Sequence, residues 1–205
     1  MSNSKLYDEF VDFVDKLNNT WSSLQKKYNI TDEFMIVKSL DNFIYETNYK
    51  LKRDILDGIK RLKRTENMFM ANGGRVIIDK KTNKIEYRKG ETVILFEKLM
   101  SAFIENHDNL DNLLKFCEIS MTHEIGHSLV NNETYVGMTV DEFDDYTNKI
   151  ERNKDEVYKK LDNKDLTKDE YYHIYYEEIP AEKMANDRVG LTVQDMLDKE
   201  NLINQ

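Results

Sequence analysis

The amino-acid sequence predicts a helix-rich α+β fold with a small β-sheet and an N-terminal helical region. Three observations carry this expectation. Apolar residues recur at helical spacing over most of the chain, and a cluster of short turn-bounded segments interrupts them between residues 72 and 96. Only one proline and seven glycines occur in 205 residues, which leaves few places where a helix must break. Hydrophobic residues make up 40% and aromatics 11%. That is enough to bury a core in one domain and too much for a disordered chain, despite 34% charged residues.

The first helix is expected from Leu6 to about Tyr28, because Leu6, Phe10, Phe13, Leu17, Trp21, Leu24 and Tyr28 fall on one face. Thr31 followed by Asp32 and Glu33 reads as a helix N-cap with an acidic first turn. Phe34, Val37, Leu40 and Ile44, then Leu51, Ile55, Ile59 and Leu62, continue a second helical region to about Met70. Residues 1–70 are thus an N-terminal helical region and 71–205 the region that carries the chemistry, the two expected to form one compact unit. Asn72-Gly73-Gly74 signals a turn. Three strands over 75–79, 84–88 and 91–96, separated by Lys81-Thr82-Asn83 and Lys89-Gly90, are expected to form a β-meander. Helices follow over 97–107 and 110–131. The charged stretch 141–170 has sparse apolar anchors (Phe143, Tyr146, Ile150, Val157, Leu161) and predicts one or two solvent-facing helices. The last helix starts at Pro180, a position that needs no amide donor.

The formal charge of −9 disfavours nucleic acid or an anionic membrane surface as partner, since both are held by clustered Lys and Arg. No stretch approaches the ~20 apolar residues of a membrane span. The first 19 residues mix apolar and acidic side chains and do not resemble a signal peptide. A single cysteine, Cys117, forms no intrachain disulfide. A cytoplasmic protein without nucleic-acid or membrane partners is the expectation.

The segment that carries chemistry is Ile119-Ser120-Met121-Thr122-His123-Glu124-Ile125-Gly126-His127-Ser128-Leu129. His123 and His127 are four apart, so on a helix both imidazoles leave one face and can meet at a single zinc ion. Glu124 then stands beside the metal, where it can take a proton from a water and pass it to a leaving nitrogen. No charged residue interrupts 119–122 or the two positions between Glu124 and His127, which suits a helix leading into a cleft. A third ligand is needed. Glu133 lies downstream, but in the metzincin pattern a glycine would stand where this chain has Val130, and a third histidine where it has Glu133. Glu178 and Glu182 lie on a later segment.

The run Glu182-Lys183-Met184-Ala185-Asn186 resembles the Glu-x-x-Ala-Asn/Asp signature of gluzincin-type zinc peptidases, among them the phage and mobile-element peptidases that cleave repressors. The resemblance spans roughly residues 91–190 and does not reach 1–70. It implies a zincin-like domain that hydrolyses a protein or peptide substrate with Zn2+. It makes Glu182 the third metal ligand, with Glu178 and Glu133 as alternatives, and Asn186 the partner that orients the first histidine. It also implies a Tyr or His near the metal to stabilise the oxyanion, for which Tyr172, His173 and Tyr176 are candidates. The strand over 92–96 is a candidate edge for pairing with an extended substrate. Two other classes remain open: a regulatory or binding protein on a zincin scaffold without peptidase activity, and a helical interaction module in which the histidine pair binds no metal.

Overall fold

A computed structural model of the chain describes residues 3–37, 69–72, 76–87, 90–162 and 165–203. The elements are α1 (Asn3–Tyr28), β1 (Glu33–Val37), β2 (Phe69–Asn72), β3 (Val76–Asp79), β4 (Lys84–Tyr87) and β5 (Glu91–Leu95), then α2 (Phe96–Glu105) and α3 (Leu110–Tyr135). After these come α4 (Val140–Leu161), α5 (Lys168–His173), a π-helical turn (Ile174–Glu178), α6 (Pro180–Val189) and α7 (Val193–Asn201). The helix-rich α+β architecture agrees with the expectation. Among the described residues no helix is long and apolar enough to cross a membrane.

The apolar stripe of α1 does what its spacing predicts. Phe10, Phe13, Leu17, Trp21 and Leu24 are buried, and the helix ends where Asn29 takes a left-handed conformation that breaks the hydrogen-bond ladder. Those side chains join Leu99, Ala102 and Phe103 of α2, Ile94 of β5, and Leu113, Phe116, Cys117, Met121 and Ile125 of α3 in one core. The residues before and after position 70 therefore share a core. Phe103 is fully buried between Phe10 and Phe13, with ring centroids 5.2 and 5.6 Å away, and burying such a ring contributes ~2–3 kcal/mol.

Three expectations need correction. Glu33–Val37 is a strand, not the first turn of a second helix. It lies parallel to β5, with Glu33 opposite Glu91 and Val37 opposite Leu95, so a distant partner overrides the local cap-like sequence. Phe69–Asn72, expected near the end of that helical region, is likewise a strand. The body of the expected second helix, 38–68, lies outside the described residues. The β-meander is also absent: β3 and β4 form a hairpin of their own, and β5 leaves it for the other sheet, whose order is β1-β5-β2. Because β5 is central, its segment 92–95 is not an edge, and Thr92 to Leu95 are buried. The strand antiparallel to it, β2, packs against α3 instead.

Gly90 stands just before β5 in a crowded position. A Cβ there would fall 2.6 Å from Asp32 Oδ2 and 2.8 Å from Ser128 Oγ, so a larger residue would push into the Asp32–Ser128 pair. The Gly90 amide donates to Asp32 Oδ1 at 3.1 Å, and the Ser128 hydroxyl donates to Asp32 Oδ2. The Asp32 carbonyl accepts from Trp21 Nε1 at 3.3 Å and Gln25 Nε2 at 2.6 Å. Asp32 is buried, and through these bonds it ties α1, the start of both parallel strands and α3 together. The hairpin is held separately. Ile85 is buried and exchanges hydrogen bonds with Met138 and Gly137, at 2.8 and 3.0 Å, in the connection after α3.

The charged stretch forms α4 and the short α5, both started by capping boxes at Thr139 and Thr167. The helix expected at Pro180 is α6, which stops at Gly190 with φ +75°. A further helix, α7, follows the Thr192 capping box and was not anticipated.

Candidate metal centre

α3 runs through the middle of the molecule, with α1, α6, α7 and β2 packed around it. Its closest neighbour is α6, and the reason is Gly126. A Cβ at Gly126 would lie 2.2 Å from the carbonyl oxygen of Ala185, so two residues with little or no side chain let the two backbones touch. Ala185 is fully buried in this contact. The approach brings Glu182 and Asn186, one turn apart on α6, against His123 and His127, one turn apart on α3.

Four polar groups converge there. His123 Nε2 is 3.1 Å from His127 Nε2 and 3.0 Å from Glu182 Oε2, and His127 Nε2 is 3.3 Å from the same carboxylate oxygen. On the other side of the His123 ring, Nδ1 lies 2.7 Å from Asn186 Oδ1. An amide oxygen can only accept, so His123 Nδ1 donates to Asn186 and Nε2 is the nitrogen that faces Glu182 and His127. Donor atoms bound tetrahedrally at ~2.0–2.1 Å from a zinc ion stand roughly 3.3–3.4 Å from one another. The three separations here are close to that. Two imidazole nitrogens and a carboxylate oxygen aimed at one point fit a small divalent cation.

The electrostatics agree with this arrangement. Burial opposes a charged His127 ring, but Glu182, with Glu124 nearby, outweighs it and raises the ring above its ordinary value. Burial equally opposes a charged Glu182, yet the two imidazoles hold its carboxyl far below the usual carboxylate range. Among the described residues, these three are the group of His, Cys, Asp and Glu side chains able to share an ion.

The other expected positions divide clearly. Glu124 is partly buried next to His123 on α3, and its charge acts on His127, Tyr175 and Tyr176. Tyr176 meets the His123 ring edge-on, with centroids 5.6 Å apart and planes at 85°. Tyr172 stands one ring further out, 5.6 Å from Tyr176, and bonds to Glu200 of α7. His173 is exposed and is not part of the cluster. The two alternative ligands are engaged elsewhere: Glu178 pairs with Lys160, and Glu133 accepts from Arg188, through Nε at 2.9 and 3.0 Å and through Nη2. Cys117 is buried, and His107 is half-buried and bonds to Glu9 at 2.7 Å.

Two residues at the centre were not anticipated. Gly126 looks in sequence like an ordinary helix interior position, and nothing local signals that a second backbone touches it. Tyr175 is half-buried, with its ring 4.9 Å from that of Tyr176. Burial, together with the charges of Glu182 and Glu124, holds the phenols of Tyr175 and Tyr176 well above their ordinary value, so both stay protonated donors. Both tyrosines lie in the π-helical turn, Tyr176 against His123 and Tyr175 against Tyr176. No protein-family model, curated protein or solved structure matches the chain.

Proposed function

We propose that this chain is a zinc-dependent peptidase with a zincin-like fold, in which His123, His127 and Glu182 hold the ion. The observation that supports it most is the convergence of three ligand atoms from α3 and α6 within 3.0 to 3.3 Å of one another, with Glu124 beside them. When bound, zinc would polarise a peptide carbonyl and make a neighbouring water more acidic. Glu124 takes the proton from that water and delivers it to the departing nitrogen. Asn186 fixes the tautomer and orientation of His123 through the 2.7 Å bond to Nδ1. Tyr176, with Tyr175 beside it, supplies a phenolic donor for the charge that builds on the carbonyl oxygen. Burial of His123 and the low exposure of Glu182 keep bulk water from competing for these contacts.

The test is Glu124→Gln in the full chain, compared with wild type after zinc loading. The variant keeps its zinc and loses hydrolysis of a peptide mixture by ~10²–10⁴-fold. Unchanged turnover with zinc retained would remove Glu124 from the mechanism, and no turnover by either protein would remove the peptidase assignment.

A further inference from the structure

Four tyrosines crowd into the six residues 171–176, and they form a continuous path of rings rather than a scattered set. Tyr171 is exposed and stacks on Tyr175, with planes at 12° and centroids 6.1 Å apart. Tyr175 meets Tyr176 at 4.9 Å, and Tyr176 meets the ring of His123 at 5.6 Å. The path therefore runs from solvent to the candidate metal ligands. It reaches them at the ring of His123, which Tyr176 meets edge-on.

Three acidic side chains beside the outer part of this path are paired within the chain. Glu177 pairs with Lys183 at 2.7 Å, and Glu178 pairs with Lys160. The Lys168 ammonium lies 6.0 Å over the ring of Tyr172, and Glu200 pairs with Lys199 at 3.4 Å. A charged side chain arriving at Tyr171 would lose hydration among stacked rings, where the nearby lysines Lys160, Lys183 and Lys199 and their acidic partners already neutralise one another. A neutral ring or branched aliphatic group loses little and gains apolar contact and ring-edge geometry.

We infer that the tyrosines of this run, Tyr171 and Tyr175 above all, form a substrate-binding surface for a bulky neutral side chain, aromatic or branched aliphatic, flanking the bond to be cut. The inference rests on the peptidase proposal for the identity of the neighbouring site. The experiment uses the full zinc-loaded chain and a set of otherwise identical peptides carrying Phe, Leu, Ala, Lys or Glu at each position near the cleavage point. Binding of the same peptides is measured by calorimetry on Glu124→Gln, where turnover does not intervene.

The expected result is a preference for Phe and Leu over Ala, Lys and Glu at one position. Tyr171→Ala should shrink the Phe-over-Ala ratio by roughly three- to tenfold, the size of one lost ring–ring contact, with the change in KM and in binding rather than in kcat. Cleavage with no side-chain preference, or with a preference for charged residues, overturns the inference and leaves the peptidase proposal standing. Phe-selective binding that depends on Tyr171, without cleavage by wild type, supports the surface and overturns the peptidase proposal. Neither binding nor cleavage overturns both.

Discussion

The substitution Gly126→Ala probes how the centre is built. The new Cβ would begin 2.2 Å from the Ala185 carbonyl oxygen, whereas ordinary contact starts at 3.4 Å. α6 must retreat by about 1.2 Å, because the obstacle is backbone and cannot rotate away. Two effects on stability oppose each other. Replacing glycine inside a helix gains ~1 kcal/mol, and overpacking costs ~1–3 kcal/mol, so the net loss is roughly 0–2 kcal/mol. The effect on the metal is much larger. Glu182 rides on α6 three residues before Ala185, and ligand bonds tolerate only about 0.2 Å of error. Zinc affinity, measured by competition with a chromogenic chelator, should fall at least ~100-fold, while thermal unfolding of the metal-free chain changes little. Gly137→Ala is the control: Gly137 has φ +90° with open space around it, so alanine there costs ~1–2 kcal/mol of backbone strain and leaves zinc affinity unaltered. A Gly126→Ala protein with wild-type zinc affinity would refute the close backbone contact as the feature that sets the ligand geometry.

Two further outcomes follow from the same geometry. Asn186→Ala removes the acceptor from His123 Nδ1 and should weaken zinc binding ~10–100-fold, with Asn186→Asp restoring most of it; equal affinity in all three proteins would deny Asn186 a positioning role. The pH dependence has a definite sign. In the metal-free chain His127 is raised above 6.5 and Glu182 lowered below 4.5, so their pairing stabilises the fold between those limits. That contribution is lost as pH rises through the raised His127 value, and also as pH falls through the depressed Glu182 value. Zinc binding needs the unprotonated ring and therefore strengthens over the same rise in pH. Thermal unfolding of wild type and Glu182→Gln from about pH 5 to 9, with and without zinc, reads both trends. A metal-free difference between the two proteins that grows above the His127 transition would contradict the pairing.

Much of the fold was legible because α1 and α3 bury residues at spacings of three and four, which the sequence displays directly. β1 was not. Phe34 and Val37 are three apart, Thr31-Asp32-Glu33 imitates a cap, and the partner that makes the segment a strand lies 58 residues away around Gly90. The Lys89-Gly90 pair looked like a hairpin turn, yet Gly90 sits where Asp32 and Ser128 crowd it. At the site, the two histidines were legible from a local i, i+4 relation. Glu182, 59 residues from His123, needed a resemblance to propose it, and the structure then brings its carboxylate to both rings. Tyr175 has no local signal of its own, being one of four tyrosines in the run 171–176.

If α3 and α6 together hold one zinc ion, the metal content of the purified chain shows it. Wild type, His127→Ala and Glu182→Ala would be purified without chelators, supplied with zinc, and analysed by native mass spectrometry alongside elemental analysis. Wild type should carry about one zinc per chain, His127→Ala none and Glu182→Ala a weakly held fraction. A folded wild-type chain that takes up no zinc, or variants that retain it as wild type does, would contradict the shared site.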